Sequence, residues 1–265
     1  MRTIVNYDCA GASCAATLDP AEGTTGLLIV SGGNEIRIGS HRGMAKLAGA
    51  ISQMGFPVFR YDRRGVGDSE GSNNGFESSA PDIAAALLAF RAQQPQLKRI
   101  VAYGNCDAAT ALWLHRPEGI DALVLGNPWV VEATTEEPAP AAARAYYKVR
   151  VRDPRAWLRL LAGRVNIVKA ADSLSSAVGA TPPSSLAARV VAAIRKAPLP
   201  TTVLLADHDG TAITFRDYFE SQAFDDVRAR IVVRTVASAS HSFAAAGDYT
   251  YLRDIILSVL RANEI

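Results

Sequence analysis

The chain has 265 residues, a formal net charge of +2 and 49% hydrophobic residues, enough for one large α/β domain or a core carrying an insertion. The near balance of 28 Lys and Arg against 26 Asp and Glu excludes a global basic field, so nucleic acid is not an expected partner. Three cysteines are too few for a disulfide scaffold and suit a reducing compartment.

No run approaches the roughly 18 apolar residues of a membrane span, and Asn6 and Asp8 interrupt any apolar leader at the N-terminus. The expectation is a cytoplasmic protein without stable membrane insertion. Nothing in the residues calls for a cofactor or a metal, and a homo-oligomer stays open.

The elements follow in chain order. Residues 3–9 and 13–17 read as a strand pair around the turn Ala10-Gly11-Ala12. Residues 26–30 form a continuous apolar run ending in Ser31-Gly32-Gly33, the pattern of a strand buried on both faces. A helix over 41–54 follows, with Ser40 as its N-cap and Gly55 at its end. The alternation then repeats: strand 57–61, helix 79–93, strand 99–103, helix 107–115, strand 122–125. Such alternation predicts βαβ units and a mostly parallel sheet with helices on both faces.

After Asn127-Pro128 the rhythm breaks. It returns with a helix over 187–196, a strand over 201–205, a helix over 215–223, a strand over 230–235 and a last helix over 249–263. The expected division is therefore a core of residues 1–128 and 199–265 and an inserted cap, 129–198. Between Arg144 and Lys169 eight cationic side chains face one acid, Asp153, with Tyr146, Tyr147 and Trp157 interleaved. Tyr146, Tyr147, Arg150, Arg152 and Trp157 are candidates for contact with an anionic substrate, such as an acyl group on coenzyme A or phosphopantetheine or an acidic glycan ester. A solvated face with its Arg stems lying along the surface explains the same charges.

The chemistry concentrates at Gly104-Asn105-Cys106-Asp107-Ala108, between a buried strand and a helix. This is the setting of a nucleophile elbow with Cys in place of Ser and Ala in place of the second Gly. The helix N-terminus offers the backbone N–H of Asp107 to an oxyanion. A buried small hydrophobe is the competing explanation for Cys106. An acid and a base stand after later strands, in the order this architecture requires. Asp209 in Asp207-His208-Asp209-Gly210 is the preferred acid, with Asp207 in reserve. His241 in Ser240-His241-Ser242 is the candidate base. The second oxyanion donor is expected from Gly33 or Asn34.

These motifs in this order resemble the α/β-hydrolase superfamily over almost the whole chain. The segment from Gly32 to Arg42, with a Cys in a G-x-C-D context, resembles the exosortase A system-associated hydrolases of type 1. Those proteins accompany bacterial exopolysaccharide and protein-sorting gene clusters. The resemblance implies a hydrolase with a Cys-His-Asp triad acting on an ester or thioester, and a cap over its active site. Dienelactone hydrolases share the Cys elbow and hold a Glu near the thiol. Glu35 lies in the corresponding loop, although the insertion departs from that compact enzyme. An acyltransferase on the same triad, a dienelactone-hydrolase-like lactonase and a non-catalytic binding module are the alternatives.

Overall fold

A computed structural model describes residues 1–131 and 185–264. Eight strands form one sheet: β1 (Thr3–Cys9), β2 (Ala12–Asp19), β3 (Thr25–Val30), β4 (Val58–Tyr61), β5 (Arg99–Asn105), β6 (Ala122–Gly126), β7 (Thr201–Ala206) and β8 (Ile231–Val236). Their spatial order is β1-β2-β4-β3-β5-β6-β7-β8. β2 runs antiparallel to β1 and to β4, and every other pairing is parallel. The β1–β2 turn takes two residues, Ala10 and Gly11, both at positive φ, with Cys9 opposite Ala12.

The central strands are mostly apolar because helices cover both faces. Along β3, Leu28 and Val30 join one core, and Leu27 and Ile29 join the other. The second core is closed by α1 (Gly43–Gln53) and by a C-terminal helix, Ala246–Ala262. The first is closed by α2 (Ala80–Gln93), α3 (Asp107–His115), α4 (Ser185–Lys196) and α5 (Gly210–Glu220); the C-terminal helix is therefore α6. Ala187, Val190, Val191 and Ile194 of α4 pack into the same core as Leu112 of α3.

Several boundaries differ from the expected ones. α1 begins at Gly43, not at residue 41, because Ser40–Arg42 form a 3-10 turn in which His41 and Arg42 have positive φ. The Ser40 side chain caps nothing. α5 begins at Gly210, five residues before the expected start, because Asp209 caps it.

The strand order sets the position of the site. From β3 the chain moves to β4 on one side and then crosses back to β5 on the other. The loops leaving β3 and β5 therefore diverge and open a crevice at the carboxyl ends of the two strands. Gly32 and Gly33 lie on one wall of that crevice and Cys106 on the other. Among the described residues no helix is long and apolar enough to cross a membrane.

Candidate active site

Cys106 stands between β5 and α3 with φ 59° and ψ −123°, a conformation that L-residues rarely adopt. Two contacts hold it there. Its N–H donates to the Gly126 carbonyl at 2.9 Å, and its own carbonyl accepts from Trp129 N–H at 3.2 Å. The close approach of β5 and α3 requires Gly104, since a Cβ there would lie 2.8 Å from the Ala108 carbonyl carbon and 3.0 Å from the Ala109 nitrogen. The first N–H groups of α3, that of Asp107 included, have no partner inside the helix.

His241, in the loop between β8 and α6, lies beside the thiol. Its Nδ1 is 3.0 Å from Asp209 Oδ2. The second oxygen of Asp209 accepts from Ala212 N–H at 3.0 Å and caps α5. The Asp209 carboxylate is only 11% exposed. Bonds from His241 and from the Ala212 backbone outweigh its burial and hold its carboxyl below the usual carboxylate range. The ring of His241 is pushed up to about 10, first by its bond to Asp209 and next by its bond to Cys106. Asp207, the reserve acid, instead pairs with Arg216, and His208 is exposed. The structure thus brings Cys106, His241 and Asp209 together, each from the end of a different strand.

The cleft above them has a volume of about 550 Å³. Phe76, Met44 and Trp129 form its apolar wall, and Asn34, Glu35, Ser40 and Ser242 its polar one. Glu35 accepts Ser40 N–H at 2.7 Å and makes no bond to Cys106 among the described residues. Asn34 accepts from the Asn73 amide at 2.7 Å. Gly33 N–H, expected as an oxyanion donor, is 2.9 and 2.8 Å from the two oxygens of the Asp107 carboxylate and so already has a partner. The Gly33 carbonyl accepts from the buried Arg63. Tyr146, Tyr147, Arg150, Arg152 and Trp157, the expected cap contacts, lie outside the described residues, as does most of the 129–198 segment.

Two residues escaped the sequence reading. Asn127 is fully buried at φ 38°, just past β6. Its amide donates to the His241 carbonyl at 2.9 Å, its side-chain oxygen accepts Ala206 N–H at 2.9 Å, and its own N–H donates to the Leu204 carbonyl at 3.0 Å. Asn105 donates to the same His241 carbonyl at 3.1 Å. An Asn with positive φ at a strand end is the one available signal, and spacing alone does not reveal it. Among the described residues no group of three or more His, Cys, Asp or Glu side chains could hold a metal ion.

Solved structures share the fold. An esterase from Pyrococcus furiosus superposes with a TM-score of 0.64 at 14% identity, covering 97% of this chain and 91% of that one. Proline iminopeptidase from Mycobacterium smegmatis gives 0.64 at 15% identity, with 98% of each chain covered. The fold is that of an α/β-hydrolase. Est1E from Butyrivibrio proteoclasticus, in a structure with ferulic acid bound, shares this α/β-hydrolase fold at 15% identity and a TM-score of 0.61, covering 96% of this chain and 98% of that one. A family model described as serine aminopeptidase, S33, matches residues 26–154. That span contains the elbow but neither Asp209 nor His241, and where the description names serine this chain carries Cys106. No curated protein matches the sequence.

Proposed function

We propose that this α/β-hydrolase cleaves an ester or thioester through a thioacyl intermediate on Cys106. The observation that carries the reading is His241, bound to Asp209 at 3.0 Å and lining the same cleft as Cys106, which stands at a strained strand-to-helix turn. Asp209 fixes the tautomer and orientation of the ring. The ring takes the Cys106 proton as the sulfur attacks.

The sulfur attacks the acyl carbon, and the carbonyl oxygen becomes an oxyanion facing the N–H groups of Asp107 and of Gly33 or Asn34. As the intermediate collapses, the bond to the leaving alcohol or thiol breaks and His241 supplies its proton. The neutral ring then takes a proton from water, and the resulting hydroxide attacks the thioester carbon. The acid departs with the sulfur released as leaving group, and the proton taken from water is left between Cys106 and His241. The basic, aromatic segment from Arg144 to Lys169 is the proposed cover for a small or carrier-bound acyl substrate with anionic parts. The resemblance of the segment from Gly32 to Arg42 supports placing the enzyme with bacterial exopolysaccharide and exosortase systems, in the cytoplasm.

The test is turnover of p-nitrophenyl esters and acyl thioesters by wild type, Cys106→Ala and His241→Ala. The reading expects Cys106→Ala to lose activity by about 10³-fold or more and His241→Ala by about 10²- to 10⁴-fold. Undiminished turnover by Cys106→Ala overturns it.

A further inference from the structure

An oxyanion hole should present free N–H groups at the elbow, but here one of them is taken. Both carboxylate oxygens of Asp107 lie within 2.9 Å of Gly33 N, the distance an oxyanion would adopt. The seat is shaped for this carboxylate. Gly32 lies beneath it, and a Cβ at that position would come within 2.2 Å of Asp107 Oδ1. No Lys or Arg lines the cleft among the described residues, and the His241 ring that does is bound to Asp209.

We infer that Asp107 is a specificity-determining residue: its carboxylate fills the oxyanion seat at Gly33 and yields it to acyl groups that carry a hydroxyl or N–H donor beside the scissile carbonyl. This rests on the thioacyl mechanism proposed above. A neutral ester carbonyl is a weaker acceptor than a carboxylate, so displacement by the carbonyl alone is unfavourable. Once displaced, Asp107 also loses its Gly33 donor. A substrate donor near the carbonyl replaces Gly33 as the partner of Asp107 and removes that cost. Sites with buried polar groups reject analogues that lack the matching partner for this reason.

The test uses p-nitrophenyl butyrate and p-nitrophenyl 3-hydroxybutyrate, each corrected for its rate with hydroxide. The acylation rate is read from the p-nitrophenolate burst. Alkylation by iodoacetamide, which needs no oxyanion hole, controls for sulfur reactivity. Wild type should acylate faster with the 3-hydroxy ester by about tenfold. Asp107→Ala should abolish that preference by raising the butyrate rate relative to alkylation. Asp107→Asn, which retains an acceptor oxygen and a good helix start, should lose part of it. Equal rates for the two esters in wild type, or a preference that survives Asp107→Ala, overturn the inference and leave the thioacyl mechanism standing. Turnover of both esters without acylation of Cys106 overturns the mechanism, and the inference with it.

Discussion

Asp209 and His241 meet through a single carboxylate oxygen, Oδ2, 3.0 Å from Nδ1, while Oδ1 of the same carboxylate caps α5. The two oxygens do separable work, and substitution can separate them. Asp209→Asn keeps an acceptor for the Ala212 N–H but disturbs the tautomer of the ring. It should lower kcat by about 10²- to 10⁴-fold with little change in thermal midpoint. Asp209→Ala should lose the activity and also about 1 kcal/mol of stability with the cap. Steady-state kinetics beside thermal melts separate the two effects, and an Asn variant within threefold of wild type contradicts the role given to Asp209.

The same contact predicts a pH dependence. His241 has a folded pKa of about 10, above its ordinary 6.5, so folding favours its protonated form. That contribution to stability is fully present below pH 6.5 and is lost as pH rises through about 10. Asp209 is shifted down, so its contribution is present above its ordinary value of 3.8 and is lost as pH falls through the lower folded value. The His241 side chain is 42% exposed, and solvent screening keeps the effect on stability modest. Titration of His241 by NMR should place its midpoint well above 6.5. Cys106→Ala should lower it, because Cys106 is the second cause of the shift. A midpoint near 6.5 in wild type contradicts the pairing.

Gly104 is the residue that lets β5 and α3 meet. The Cβ of Gly104→Ala would face backbone atoms of Ala108 and Ala109 at 2.8 to 3.0 Å, and backbone yields less readily than a side-chain tip. The substitution should cost about 1 to 3 kcal/mol and lower activity, because the shift required falls on the strand that carries Cys106. Denaturant midpoints and initial rates measure both. An unchanged midpoint would mean that the elbow is less tightly packed than these distances require.

Asn127 braces the base from behind by joining β6, β7 and the His241 loop. Asn127→Ala strips the buried Ala206 N–H of its acceptor, at about 1 to 3 kcal/mol. It also frees one of the two donors on the His241 carbonyl. kcat should therefore fall further than KM rises. Asn105→Ala, which leaves the Asn127 bond intact, should be the milder change. Equal effects from both variants contradict the brace.

The sheet is readable because its central strands are covered on both faces and read as largely apolar runs. The helix over 107–115 matched at both ends because the elbow fixes its first residue and Arg116-Pro117 follows its last. The start of α5 is hidden in the sequence because Asp209-Gly210 reads as a loop. One side chain serves as both acid and cap, and the pattern shows only one role at a time. Asp107 illustrates a different limit. Its backbone N–H was readable as an oxyanion donor from its place after Cys106. The turn of its carboxylate onto Gly33, 74 residues away, depends on the crevice formed where the strand order reverses. Asn127 was hidden for the same reason, since its three partners come from β7 and from the loop after β8.

The most direct measurement is the mass of the enzyme after a brief pulse with a p-nitrophenyl ester, quenched in acid and mapped by peptide. One acyl group should appear on the peptide that contains Cys106. It should be released by hydroxylamine, and Cys106→Ala should not acquire it. Turnover at the normal rate with Cys106 unlabelled, or the label on another residue, would contradict the account.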